Sequence, residues 1–261
     1  MAKQEVKNEV VKKMAPPPPA VYEHRNSVVH AEDIVVPKLL LAQGLSVSVS
    51  EGKAKMGDIT NSLTGVVIGG PAKDVAFIPI TIKKYWKRFE NVNGKNQYRG
   101  VEAFTRENAS RPLKEELPSQ MNPQQKSQWE FNLTLDVFGF TEDDVNDPIA
   151  LPTAISFTRT SYKAGQQVNT LLASVEAAKL PYYTYMMSVS CAKKQNDKGI
   201  FYTFDVKPKM DGAKMAKTPT EYYGKIEQWS KILNDNSRNV VIDDSDEESS
   251  AASASVDESK F

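Results

Sequence analysis

Two adjacent residues, Asn93 and Gly94, constrain this chain more than any other pair, because they lie between two β-rich runs at 85–89 and 98–104. Asn-Gly supplies the positive φ angles that a type I′ turn demands, so the flanking runs are expected to pair as an antiparallel hairpin. A second hairpin is expected between 182–191 and 200–206 through Gln195-Asn196-Asp197-Lys198-Gly199. Further strand candidates at 64–68, 75–82, 129–138 and 155–159 are rich in Val, Ile, Thr, Phe and Trp with partial alternation. Residues 34–41 turn apolar, and Gly44, Gly52, Gly57 and Asp58 then punctuate short segments.

Helical spacing occurs twice. Val168, Leu171, Leu172 and Val175 predict a helix ended by Pro181. Thr218-Pro219-Thr220-Glu221 reads as a capping box with proline at the first helical position, followed by Tyr222, Ile226, Trp229 and Leu233 on one face. Residues 108–128, rich in Pro, Gln and Glu, read as a long loop. The expected class is mainly β (α+β): an OB-like antiparallel barrel with one or two helices and disordered termini, although an antiparallel sandwich gives the same pattern.

Three segments follow. Residues 1–29 carry Pro16, Pro17, Pro18 and Pro19 and read as a disordered arm; 30–236 is the core; 237–261 is a disordered acidic tail. From Val240 to Phe261 seven acids stand against Lys260, a net of six negative charges, so the rest of this electrically neutral chain of 261 residues carries six positive ones. A neutral total therefore does not argue against a polyanionic partner. The single cysteine, Cys191, excludes an intramolecular disulfide and fits a reducing compartment. No apolar run reaches 18 residues and the N-terminus has no signal-peptide pattern, so the expected location is the cytoplasm, with no membrane involvement.

The search for chemistry is negative. His24 and His30 stand far from Cys191, no Walker sequence occurs, and Gly69-Gly70-Pro71 reads as a turn. The acidic cluster Glu142, Asp143, Asp144 and Asp147 reads as solvated or helix-capping before a metal site, which adjacent loop carboxylates rarely shape. No enzyme, metal or cofactor is expected.

A concentration of cations and aromatic rings remains. Between Thr81 and Arg106, seven lysines and arginines face two glutamates, with Tyr85, Trp86, Phe89, Tyr98 and Phe104 interleaved. Alternation puts Lys84, Trp86 and Arg88 on one strand face and Tyr85, Lys87 and Phe89 on the other. Bases of single strands stack on such rings while cations neutralise phosphates. The plainer reading has the rings in the core and the lysines guarding a strand edge. The candidate contacts are Lys83, Lys84, Trp86, Arg88 and Arg99, then Arg159, Tyr162 and Lys163, and Tyr183, Tyr185, Lys193 and Lys194. Trp86→Ala is expected to weaken binding without unfolding the core.

The tail, Asp243, Asp244, Asp246, Glu247 and Glu248, then Asp257, Glu258 and Phe261, has too little apolar surface to fold, and its terminal ring suits a partner's pocket. In this the chain resembles bacterial and tailed-phage single-stranded DNA-binding proteins, whose OB-fold core precedes an acidic tail ending in Phe; the usual neighbourhood of that Phe lacks a lysine like Lys260. The resemblance implies that the tail recruits replication or recombination proteins. Val36-Pro37-Lys38-Leu39-Leu40, Gly57-Asp58-Ile59, 75–89, 157–165 and 196–199 are similar to tailed-phage proteins and imply a phage origin. The expected function is to coat and protect single-stranded DNA in phage replication or recombination, with self-association into a homo-oligomer left open. The rival is a virion or assembly protein with extended arms; a small hydrolase built on the acidic loop ranks below both.

Overall fold

A computed structural model describes residues 35–106, 109, 128–197, 199–235 and 241–242. The arm, the acidic residues from Asp243 to Glu258, Phe261 and nearly all of the expected 108–128 loop lie outside the described residues. In chain order the elements are β1 (Val35–Val36), β2 (Leu39–Leu41), α1 (Val47–Ser50), β3 (Ile59–Asn61), β4 (Val67–Gly69), β5 (Val75–Val92), β6 (Lys95–Ala103) and β7 (Trp129–Thr141). There follow α2 (Glu142–Asn146), β8 (Thr153–Thr158), α3 (Tyr162–Ala177), β9 (Met187–Asn196), β10 (Gly199–Pro208), β11 (Met210–Asp211), β12 (Lys214–Met215), α4 (Tyr223–Asp235) and β13 (Val241–Ile242).

The Asn-Gly signal forms the expected turn. Asn93 and Gly94 have φ of 54° and 79°, and the Gly94 amide donates to Asn91 Oδ1 at 2.9 Å. The two runs expected before that turn merge into one strand of 18 residues. They merge because β5 changes partner along one side: Val75–Phe77 pairs with β9, and Tyr85–Val92 pairs with β6. β7 runs along its other side, giving the order β10-β9-β5-β7-β8 with β6 attached to β5. Pro79 cannot donate to a ladder, and a register shift beside it leaves Ile80 as an extra residue.

Alternation sorts the sheet into two faces. Phe77, Leu135, Val137, Ile155, Phe157 and Phe204 form a cluster closed by Ala164, Val168 and Leu172 of α3 and by Leu39 and Ile59. Ile78, Phe138, Phe140 and Ala154 form another, closed by Val36, Val145 and, from α4, Ile226 and Leu233. Each such large side chain stabilises the fold by roughly 1.5–3 kcal/mol of transfer free energy. α3 ends as expected: Lys179 takes a left-handed φ of 56°, Leu180 N–H closes on the Val175 carbonyl at 3.2 Å, and Pro181 follows.

The α4 capping box does not form. The Thr218 hydroxyl is buried and makes no hydrogen bond, while its amide donates to the Thr184 carbonyl at 3.1 Å. Lys217 bridges Tyr185 in strand fashion, so this residue is held as a sheet extension and cannot turn its oxygen to the helix. A short 3-10 turn at Thr220–Tyr222 starts the helix instead. Tyr182–Thr184 is likewise a 3-10 turn, and the second hairpin begins at Met187.

The protein is mainly β and antiparallel with few helices, as expected. Strand pairing among the described residues closes no barrel. The gap between β8 and β10 is spanned by the segment around β2: Ala154 N–H donates to the Pro37 carbonyl at 2.8 Å, and Lys38 bridges Ala154. At the other end the Gln43 side chain accepts from the Tyr202 amide at 3.0 Å and donates to the Tyr202 carbonyl at 2.8 Å.

Candidate nucleic-acid interface

Where β5, β8 and β10 approach one another lies a cleft of about 230 Å³, lined by Lys87, Phe89 and Asn132, by the turn Thr158–Ser161, and by Tyr202 and Phe204. β5 delivers Lys87 and Phe89 to one face because its pairing with β7 is regular there, Lys87 opposite Asn132 and Phe89 opposite Glu130. The second hairpin delivers Tyr202, opposite the exposed Lys193. Arg159 closes the third side from just beyond β8, its guanidinium 5.6 Å from the Phe89 ring centre and 3.0 Å from Glu130 Oε1. Phe89 also meets Tyr98 at 5.8 Å between centroids, tilted by 58°. Two rings and the Arg159 guanidinium thus share a concavity with the hydroxyls of Thr158, Thr160 and Ser161, and Lys87 lies buried at its floor. This is chemistry for a planar, anionic, hydrogen-bonding polymer unit.

Below the cleft sits a charged network. Asp136 is fully buried, accepting from Ser156 Oγ at 2.6 Å and from the Tyr85 hydroxyl, and the buried Lys38 and Lys87 act on it electrostatically. Burial pushes the Asp136 carboxyl above the usual carboxylate range, against the opposing pull of the Ser156 and Tyr85 hydroxyls and of the two lysines. A folded pKa above the unfolded one means that this group favours folding fully below about pH 4 and that the contribution is lost as pH rises through the raised value. The melting temperature of the wild type relative to Asp136→Asn should therefore fall over the interval that opens at about pH 4. A difference that rises over that interval would mean an ionised, paired carboxylate in the folded chain.

The family model of the Pam3 phage gp34-like proteins matches residues 12–237. The chain belongs to that family. Neither a curated protein nor a solved structure matches it. Membership makes this a phage-type protein, in line with the longer of the two resemblances, and the match spans the arm's second half and all of the core through α4.

Within this phage-type core the candidate contacts are dispersed. Arg159 lines the cleft and Lys193 flanks Tyr202. Tyr162, half-buried, packs against the first core cluster, and Lys163 is exposed on the first turn of α3. Trp86 corrects the expected platform: it is 5% exposed and lines no part of the cleft, whereas Lys87 and Phe89 of the opposite strand face do. Lys84 is exposed, with its ammonium 3.9 Å from the Phe104 ring centre. Lys83 lies 4.9 Å from the Phe138 ring, and burial lowers its pKa against the pull of Asp136. Arg88 donates to the Arg99 carbonyl at 3.3 Å, and Arg99 pairs with Glu90 at 2.8 Å. Tyr183 belongs elsewhere: its ring meets Tyr223 edge-on at 5.2 Å and its hydroxyl donates to Glu227 at 3.2 Å. Tyr185 is half-buried beside Lys217, and Lys194 is exposed opposite Phe201.

The acidic cluster is a helix start. Thr141 Oγ1 accepts from the Asp144 amide at 3.1 Å, Lys209 pairs with Glu142 at 2.6 Å, and Lys225 donates to the Asp144 carbonyl at 3.0 Å and to that of Asp147. Among the described residues no group of acids, histidines or cysteines is arranged to hold a metal, and no helix is long and apolar enough to cross a membrane. Lys87, Phe89 and Tyr202 of the cleft, and Glu130 beside it on Arg159, are among the residues missing from the sequence-based contacts. Two of them, Lys87 and Phe89, were available as the other strand face.

Proposed function

We propose that the protein binds single-stranded DNA in its phage's replication or recombination, coating displaced strands as a binder rather than an enzyme. The cleft carries this reading: Phe89 and Tyr202 offer flat surfaces from two different hairpins, with Arg159 beside them and the exposed Lys193 at the hairpin flank. Base–aromatic stacking contributes roughly 1–3 kcal/mol per base, and each neutralised phosphate releases counterions. In the same proposal the terminal Phe261 and its acidic neighbours recruit replication or recombination enzymes.

Titrating the full chain against fluorescent oligo-dT at two salt concentrations tests the proposal. Binding should be strong at low salt and should weaken with a logarithmic slope of about −0.7 for each phosphate contacted. Phe89→Ala should lose about 1–3 kcal/mol of affinity while staying folded by circular dichroism. A virion or assembly role with extended arms would leave the titration flat, and that outcome would end the DNA-binding reading.

A further inference from the structure

Glu130 and Arg159 face each other at the cleft, both side chains somewhat less than half exposed, with Oε1 and Nη2 3.0 Å apart. We propose that this ion pair is a gate: Glu130 holds the guanidinium over Phe89, and a phosphate of an incoming single strand takes Glu130's place on Arg159, freeing the ring for a base. The inference rests on the DNA-binding reading and adds the regulation of that same site.

Three observations carry it. First, the guanidinium that would neutralise a phosphate is also the group set against the Phe89 ring, so one side-chain movement answers both needs. Carboxylate and phosphate oxygens present the same acceptor geometry to an arginine fork, which makes the exchange chemically close to neutral. Second, Glu130 keeps other donors when Arg159 departs. Asn132 Nδ2 donates to its Oε1 and Asn96 Nδ2 to its Oε2, both at 3.0 Å, so the carboxylate is not stranded. Third, Arg159 holds a left-handed φ of 46°, unfavourable for a residue with a Cβ, in a turn pinned by Thr158 N–H to Ser161 Oγ at 2.9 Å and Ser161 Oγ to the Thr158 carbonyl at 2.8 Å. Backbone strain held in place by its surroundings concentrates where a side chain must be aimed for function. A glycine there would relax the backbone and forfeit the guanidinium.

The test uses the full chain, oligo-dT and four proteins: wild type, Glu130→Gln, Arg159→Ala and the double variant. An exposed pair of this kind restrains its partners weakly, so Glu130→Gln should bind about two- to fivefold more tightly than wild type. Arg159→Ala should bind more weakly, and in its background Glu130→Gln should give no gain. Equal or weaker binding by Glu130→Gln overturns the gate. So does an undiminished gain in the Arg159→Ala background, which would reduce the carboxylate to simple repulsion of phosphate. Thermal melts confirm that each protein is folded; if Glu130→Gln melts early, Glu130→Asp, which draws the carboxylate back by one methylene and weakens the pair, carries the same expectation. A wild type without salt-sensitive affinity sinks the DNA-binding reading and the gate together, whereas a wild type that binds alongside an unimproved Glu130→Gln sinks the gate alone.

Discussion

Trp86→Ala should unfold in distinctly less urea than wild type, with a loss of about 3–5 kcal/mol, the range for deleting a large buried aromatic side chain. The ring is 5% exposed in the middle of β5, opposite Leu133 of β7 and Glu102 of β6, so its removal leaves a cavity that two strands must collapse around. Whatever fraction remains folded should keep most of its affinity for oligo-dT, because the ring is not among the cleft residues. This reverses the outcome expected from the sequence, in which Trp86 served binding and not folding. A variant that melts like wild type and has lost oligonucleotide binding would restore the earlier role.

Gly139→Ala should be harsher still, yielding little folded protein or a destabilisation of at least about 3 kcal/mol. A Cβ at this position would stand 2.1 Å from the Ile78 carbonyl oxygen and 2.6 Å from the Phe77 ring. Gly139 pairs with Pro79 and Thr153 beside the β5 bulge, at the centre of the sheet, so neither neighbouring strand can withdraw. The contrast is Gly224→Ala in α4, where an added Cβ meets nothing within 4 Å. There alanine should raise stability by up to about 1 kcal/mol through its better helix propensity. Urea midpoints of the two variants, read side by side, check the steric argument; comparable small effects at both sites would refute it.

The hairpins, the strand-rich class and α3 were legible because each rests on local chemistry: a dipeptide that tolerates positive φ, a period of two, or apolar residues recurring over a proline stop. Alternation along 84–89 was also read correctly. It could not say which side chains on each face are covered, since that depends on packing from elsewhere in the chain; hence Trp86 was named as a contact and Phe89 was not. Tyr202, visible among the aromatics of the second hairpin, was left out of the contacts for a different reason. The second hairpin turns through two residues, with Asn196 opposite Gly199, rather than through a five-residue loop. Counting back from the tight turn sets Tyr202 against Lys193, and the basic-aromatic pair becomes visible. Glu130 had no signal at all, because its meaning comes from Arg159 and Asn96, which are distant in sequence. Thr218 failed by competition: a strand bridge at the preceding residue claimed the backbone that the cap needed.

The sheet's outer margin at β10 has a further consequence. Both main-chain groups of Tyr202 that point away from β9 are already taken by the amide of Gln43, which imitates a neighbouring strand for the length of one residue. An extended segment from another molecule arriving there finds no vacant donor or acceptor at that residue. A fold left open along one side can thus display its concave surface to a ligand while that margin resists templating the edge-to-edge growth by which open sheets aggregate.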